Sequence, residues 1–438
     1  MTVIADFSSG TADLDRDLVE LHTAAKRHAA LLNVLGPVRA RDDGAAVRAA
    51  EAHRDLRRLR RNFLRRHLGT VYRSATDDLR RGLRLSELCA AVAELYPGLL
   101  PNAAQLAADA ELPQPDKEGW EIDQGIFLHA VFADPEAGNH LLDAMRAPTA
   151  RALDLLPKFQ VTGAITLPVV HLVRRGGTAT ITINNTACLN AEDNQHVADM
   201  ETAVDLVLLD PMSAVGVVRG GKMDHPRYRN RRVFSAGINL AELHQGKISF
   251  LDFLLGRETG YLAKILRGHT EPETEWTGDP RCKPFIAAVD SFAIGGGAQL
   301  LMVFDRVIAA TDSYLSLPAA QEGIIPGVAN LRLGRSSNYR LSRDVILWGR
   351  KLWATEPEAR LVLDSVVEPA AMDREIDEAA ARLASPAVVA NKHMLVGAEE
   401  PQDVFRRYLS EFALQQAKRL YAADVLTKTG RFTQGVHR

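Results

Sequence analysis

The sequence predicts an α/β protein with a helical N-terminal domain over residues 1–160, an α/β core over 161–370 and a C-terminal helical region over 371–438. Three observations lead there. From about Asp13 to Leu155 the chain is rich in Ala, Leu, Arg and Glu and poor in β-branched residues, which favours helices. Near Lys158–Thr166 the composition changes, and β-rich runs separated by turn residues begin. From Lys283 onward strand-like and helix-like runs alternate, the pattern of strands connected through helices.

In the N-terminal part, Leu56, Leu59, Phe63 and Leu64 fall at helical spacing within Ala45–Leu68, and Leu83–Leu95 repeats the pattern. Breaks fall at Asp42-Asp43-Gly44, Pro97-Gly98 and Leu112-Pro113-Gln114-Pro115. Two short helices are expected at Asp123–Phe132 and Ala137–Met145. Val169–Val173 and Thr178–Ile183 flank Arg174-Arg175-Gly176-Gly177, a hairpin signal, and further β-rich runs follow at Val204–Leu209 and Val215–Arg219. Leu251–Arg267 reads as helix. Then come Phe285–Val289 as strand, Ala298–Phe304 as helix, Arg306–Ala310 as strand and the turn-rich Ser316–Gly327. Helices at Ser342–Trp348, Met372–Leu383, Pro386–Leu395 and Asp403–Val425 complete the chain.

With 438 residues, 46% hydrophobic and 25% charged, the chain can bury a sizeable core and has ordinary globular composition. A net charge of -2 gives no global signal for nucleic acid or an anionic membrane. Cys89, Cys188 and Cys282 are far apart and show no ligand spacing, so neither a disulfide framework nor a structural zinc site is expected. The N-terminal residues show no basic region followed by an apolar run, and no apolar stretch approaches membrane-spanning length. The expected compartment is the cytoplasm.

The chemistry is expected around Lys283–Arg306. An apolar run, the turn residues Asp290-Ser291 and then Gly295-Gly296-Gly297 lead into a helix. Glycines there allow another group to come close to the backbone, and first-turn N–H groups lack intrahelical partners, so they can bond a developing oxyanion. A tight turn with close helix packing would use the same glycines, and this stretch alone leaves both uses open. Upstream, Val233–Leu240 is a second apolar strand end running into a Gly-containing turn, which can present the single N–H of Ile238. Two single donors from separate turns make an oxyanion hole.

FSAGIN, then AAVDSFAIGGGAQ, then SLPAAQEGIIPG, in this order and spacing, resembles the crotonase (enoyl-CoA hydratase/isomerase) superfamily. The resemblance implies a crotonase-like core of repeated ββα units in a superhelix, an acyl-CoA substrate, and a thioester enolate held by the N–H groups of Ile238 and Gly296. It also implies C-terminal helices that cover the CoA and build a homo-trimer or hexamer. Hydratases of the superfamily carry two glutamates where this chain has Gln299 and Ala319. Neither takes a proton at neutral pH, so ordinary hydration is not expected. An intact oxyanion hole without its acid/base pair resembles the cofactor-free oxygenase members of the superfamily, found in glycopeptide-antibiotic pathways, which act on an aryl-acetyl-CoA and O2 without metal or flavin.

By the same resemblance, Glu192 and Arg257 hold two ring hydroxyls of the substrate, and Gln299 bonds the thioester region or bound oxygen. Thr186 and the insertion His225-Pro226-Arg227-Tyr228 lie near the CoA nucleotide; a pocket that admits O2 and excludes water needs apolar walls, for which Ile294, Ile324 and Ile325 are candidates, with core packing the commoner use of such residues. From the residues alone, Glu192 and Arg257 also read as ordinary surface charges, and the insertion as a solvated loop. Two other functions stay open: another enolate-forming crotonase, such as a thioesterase, decarboxylase or isomerase, or an RNA-binding hydratase homologue. The latter would use the seven arginines between Arg54 and Arg66, although an amphipathic helix with a solvated basic face is the commoner meaning of such a run.

Overall fold

The computed structural model describes residues 11–270 and 281–434. By compactness the chain forms two units. One comprises the described residues up to Ala144 with His244–Lys247 and Arg406–Leu426; the other comprises Met145–Leu243, Ile248–Phe405 and the residues from Thr427 onward.

The first unit is helical, with α1 (Thr11–Leu35), α2 (Asp43–Ala75), α3 (Leu85–Leu95), α4 (Ala103–Ala110), α5 (Trp120–Ala133) and most of α6 (Pro135–Arg146). The Asp42 side chain caps α2 by accepting from the N–H of Ala45 at 2.7 Å. This helix runs past the expected end at Leu68 because its apolar stripe continues through the buried Val71, Tyr72 and Ala75. Its arginine run is partly consumed by structure. Arg57 and Arg60 lie 3.2 and 2.7 Å from the fully buried Asp123 of α5, and Arg66 lies 2.6 Å from Asp17. A buried carboxylate requires such partners, whereas Arg54, Arg58, Arg61 and Arg65 remain exposed.

The second unit opens with α7 (Ala150–Thr162), and its described residues form ten strands: β1 (Ala164–Thr166), β2 (Val170–Arg175), β3 (Thr178–Ile183), β4 (Val215–Gly220), β5 (Phe285–Val289), β6 (Phe292–Ile294), β7 (Arg306–Ala310), β8 (Tyr314–Ser316), β9 (Lys351–Trp353) and β10 (Ser365–Val367). Seven form one sheet in the order β1-β2-β3-β4-β5-β7-β10, and β6-β8-β9 form a second. The first three strands are antiparallel, with Arg175 facing Thr178 across the expected hairpin, and pairing from β3 through β10 is parallel. A repeating unit results: β5 in the large sheet, β6 in the small one, then the helix Gly296–Leu300; β7, β8, then the helix Ala319–Glu322.

Every residue of β5 is buried, the signature of a strand covered on both faces. On one face Val215, Val217, Ile286, Ala288, Ile308 and Ala310 pack with Met372, Ile376, Ala379 and Ala380 of the helix Met372–Leu383. Burial of each larger side chain there contributes about 1.5–3 kcal/mol.

Four expectations are corrected. Val204–Leu209 is not β-like but the end of α8 (Asn194–Leu209); α8 is buried on nearly all sides, so its last turn is apolar throughout and mimics a strand. Val233–Phe234 belongs to no strand; the segment makes isolated bridges, Ser235 to Ala293 and Ile238 to Glu192. Leu251–Arg267 is not one helix: a π-helical stretch Phe250–Leu255 leads into Gly256–Thr259, and after Gly260 a further helix spans Tyr261–Arg267. Asp403–Val425 is likewise two helices, Gln402–Arg419 and Ala423–Gln434.

Candidate active site

The glycine-rich turn and the Ile238 turn touch. Gly295, at φ 52, ends β6, and its N–H is taken by the carbonyl of Ser316 at 2.8 Å. A side chain on Gly295 would meet the Cα of Gly237 at 3.4 Å, so the two turns are in van der Waals contact through their glycines. The segment after Gly237 is registered by Glu192, whose N–H donates to the Gly237 carbonyl (2.7 Å) and whose carbonyl accepts from Asn239 (2.9 Å). This bridge uses the peptide groups on either side of Ile238 and leaves the Ile238 N–H pointing elsewhere. Gly296, first residue of its helix, has no intrahelical acceptor. Neither N–H has a hydrogen-bond partner among the described residues. Ile238, Ile294, Gly295 and Gly296 are all partly exposed, whereas Gly297–Leu300 are buried, so the free amides lie where the turn opens.

Behind them is a buried polar cluster. Glu192 (1% exposed) and Arg257 (3%) form an ion pair at 2.6 Å. The Ser235 hydroxyl donates to Glu192 at 3.1 Å, and Arg257 Nη2 donates to the Gly296 carbonyl at 2.6 Å. Burial works against both charges. Even so, Arg257 holds the Glu192 carboxyl below its usual range, and Glu192 raises the guanidinium above its own. A side chain on Gly296 would lie 2.8 Å from both Glu192 carboxylate oxygens, which is why this position takes glycine. The surface-charge meaning of Glu192 and Arg257 is thereby excluded.

Gln299 is 4% exposed, and its amide nitrogen donates to Glu258, itself 1% exposed. Glu258 also accepts from Arg257 Nη1 at 3.3 Å, so it joins Gln299 to the ion pair. Gly327, at φ 45, closes over this contact; a side chain there would overlap both Gln299 Nε2 and Glu258 Oε1. With its NH2 committed to Glu258, the carbonyl end of Gln299 is the acceptor left to a ligand. Ala319 is buried, and among the described side chains Ile294, Ile324 and Ile325 are each half-buried.

Thr186 and the insertion lie together elsewhere on the second unit. Thr186 Oγ1 bonds Asp224 at 3.2 Å, and Pro226–Tyr228 forms a 3-10 turn with His225 as its cap. Pro226 and Arg227 are exposed; the Arg227 guanidinium stands 5.6 Å from the Tyr228 ring centre, and that ring packs edge-on to Phe292 of β6. Phe292 links this surface to the strand that ends at the glycine turn.

Sequence reasoning missed Glu258, Ser235, His196 and Tyr261. Glu258 stands next to Arg257 in RETGY and reads there as half of a surface pair. Its burial follows from the π-helical turn before it, and π-helical distortions of this sort occur frequently at functional sites. Among the described residues no cluster of three or more His, Cys, Asp or Glu could hold a metal ion, and no helix is long and apolar enough to cross a membrane.

Comparison with known proteins agrees with this architecture. The enoyl-CoA hydratase/isomerase family profile matches residues 174–404. A curated (3,5-dihydroxyphenyl)acetyl-CoA 1,2-dioxygenase from Amycolatopsis orientalis is 54% identical over 415 residues, 95% of each chain. A short-chain-enoyl-CoA hydratase from Clostridium acetobutylicum is 27% identical over 51% of this chain and 78% of its own. The structure of OdaA from Pseudomonas aeruginosa superposes with a TM-score of 0.51 at 21% identity, covering 62% of this chain and all of that one, which shows a shared fold. From its paired sheets, its adjoining glycine turns and these likenesses, the chain belongs to the enoyl-CoA hydratase/isomerase family.

Proposed function

We propose that this protein is a cofactor-independent dioxygenase that converts 3,5-dihydroxyphenylacetyl-CoA and O2 to 3,5-dihydroxyphenylglyoxylate and CoA, acting in the cytoplasm in glycopeptide-type antibiotic biosynthesis. The observation that carries the proposal is the likeness to the Amycolatopsis dioxygenase across nearly the whole of both chains, N-terminal helices included. The site supports it, having two free amides at an opening and no carboxylate at either hydratase position.

Loss of an α-proton from the thioester gives an enolate, whose oxygen is bonded by the N–H groups of Ile238 and Gly296. Each such donor contributes roughly 3 kcal/mol to stabilising the anion. The enolate passes one electron to O2, and recombination forms an α-peroxide. Its terminal oxygen attacks the thioester carbonyl, CoA leaves as the thiol, and O–O cleavage gives the α-keto acid. Both oxygen atoms end in that product, and the two α-hydrogens end as the carboxyl and thiol protons.

Gln299 offers its carbonyl to the reacting region, and the half-buried isoleucines supply apolar walls for O2. The Glu192–Arg257 pair anchors the hydroxylated ring. Thr186, His225, Pro226, Arg227 and Tyr228 contact the CoA nucleotide, which the exposed Arg227 suits in charge. The helices of 371–438 contribute to covering CoA and to a homo-trimer or hexamer; the exposed Met394 and Leu395, with Tyr339, Leu347 and Trp348 outside that region, give apolar surface for such contacts.

The test is O2 uptake by metal-stripped protein given 3,5-dihydroxyphenylacetyl-CoA, with CoA and keto acid measured together. One O2 consumed per CoA released is expected. CoA release without O2 consumption would instead identify a thioesterase.

A further inference from the structure

Glu192 and Arg257 are joined to each other at 2.6 Å and also bond Ser235, Glu258 and the Gly296 carbonyl, and a 3,5-dihydroxyphenyl ring brings two hydroxyls to this cluster. His196 lies one helical turn after Glu192, in the first turn of α8. Its backbone N–H is held by the Asp193 cap at 2.8 Å, which fixes the residue in place. Its side chain is fully buried, yet neither Nδ1 nor Nε2 has a hydrogen-bond partner. Among the charges that act on the ring, Glu192 and then Arg257 are the strongest. Burial holds the imidazole below its ordinary pKa and therefore neutral, with one nitrogen a donor and the other an acceptor. Buried polar atoms are almost always paired, and two idle nitrogens on one ring beside an ion pair point to a group that arrives with a ligand.

We propose that His196 is a further contact to the substrate ring, hydrogen-bonding a ring hydroxyl beside the Glu192–Arg257 pair. This rests on the dihydroxyphenylacetyl-CoA reading above. The competing group is Tyr261, whose buried hydroxyl also lacks a partner and whose ring centre lies 5.7 Å from the Arg257 guanidinium. Its strongest charged neighbour is Arg257, whereas that of His196 is Glu192, the acceptor of the anchor. His196, one helical turn along the chain from Glu192 and with both ring nitrogens unpartnered, can meet a hydroxyl with either hydrogen-bond polarity.

The experiment compares wild type, His196→Leu, His196→Gln and Tyr261→Phe on 3,5-dihydroxyphenylacetyl-CoA, 3-hydroxyphenylacetyl-CoA and phenylacetyl-CoA. Binding is measured anaerobically and turnover by O2 uptake. For His196→Leu, affinity and kcat/KM for the dihydroxylated compound should fall roughly 10- to 100-fold, with a change below about 3-fold for the other two, and His196→Gln should recover part of the loss. Equal loss on all three compounds, or no loss, overturns the proposal; so does a hydroxyl-selective loss in Tyr261→Phe but not in His196→Leu. Should the variants not fold, wild type with 15N-labelled histidine serves. A change in the His196 ring resonances on adding the dihydroxylated compound, and none on adding phenylacetyl-CoA, supports the contact, and unchanged resonances overturn it. Anaerobic binding that depends on His196 without any O2 uptake by wild type would uphold this contact while overturning the dioxygenase reading.

Discussion

Replacing Gln299 by Glu restores the residue that hydratases carry, and the structure predicts a protein whose stability then depends steeply on pH. The Gln299 amide donates to Glu258, so the variant places a second carboxyl against one that is 1% exposed. Two carboxylates about 3 Å apart at an effective dielectric of 20 repel by about 5 kcal/mol, equivalent to about 4 pKa units. The pair therefore keeps one proton up to about pH 8, while the unfolded chain releases it near pH 4.3. Between these values the folded state binds more protons, so stability falls as pH rises, by about 1.4 kcal/mol per unit. Between pH 5 and 7.5 the variant should lose about 3 kcal/mol relative to wild type. Below about pH 4.3 the protonated carboxyl donates as the amide does, and the two proteins should be nearly equal. Urea unfolding of both proteins at pH 5 and 7.5 measures this. A gap of the same size at both values would refute the reasoning. The variant should also fail to hydrate crotonyl-CoA, because Ala319 supplies no second carboxylate.

Three further outcomes are expected. Arg257→Leu should reduce turnover of the dihydroxylated substrate far more than that of phenylacetyl-CoA. It should also destabilise the fold by about 3–5 kcal/mol, much of it recovered in Glu192→Leu/Arg257→Leu, as a double-mutant cycle in urea would measure. Gly296→Ala puts a methyl 2.8 Å from both Glu192 oxygens, so kcat should fall on the order of 100-fold through displacement of the turn, with the movement visible crystallographically. Glu322, in the helix after β8, has its carboxyl pushed up to about 7 by burial alone. Its folded value exceeds its unfolded one, so it costs the fold stability progressively as pH rises from about 4.5 to 7, and Glu322→Gln should be the more stable by at most about 3 kcal/mol at pH 8 and equal at pH 4. Thermal melts across that range check it.

Local signals announced the core strands well. Phe285–Val289 and Arg306–Ala310 appear where apolar runs meet turn residues, and Met372–Leu383 has the bounds its spacing predicts. Val204–Leu209 was misleading because the last turn of α8, Leu206–Leu209, is apolar throughout, and the polar positions and length that mark the helix lie upstream of that run. The break at Gly260 was hidden for another reason. A side chain there would meet the carbonyl of Gly256 at 2.6 Å and Glu201 at 3.0 Å, contacts that exist only in the fold. The adjoining turns with the unpartnered N–H groups of Ile238 and Gly296 could be anticipated because glycine turns leave a pattern along the chain. Glu258 could not, since its partner Gln299 lies 41 residues away and its neighbour Arg257 suggests a simpler pairing. The same holds for His196, whose isolation is a property of burial.

Gly296 offers its free N–H to the opening, while the space where its side chain would be is filled by Glu192 and its carbonyl is held by Arg257. In the function proposed above, the anchor for the ring and one anchor for the carbonyl would thus be mounted on a single residue, with no flexible linkage that could stretch to accommodate a different spacer. Such a gauge would reject benzoyl-CoA as too short and 3-phenylpropionyl-CoA as too long before any chemistry begins, whatever their hydroxylation.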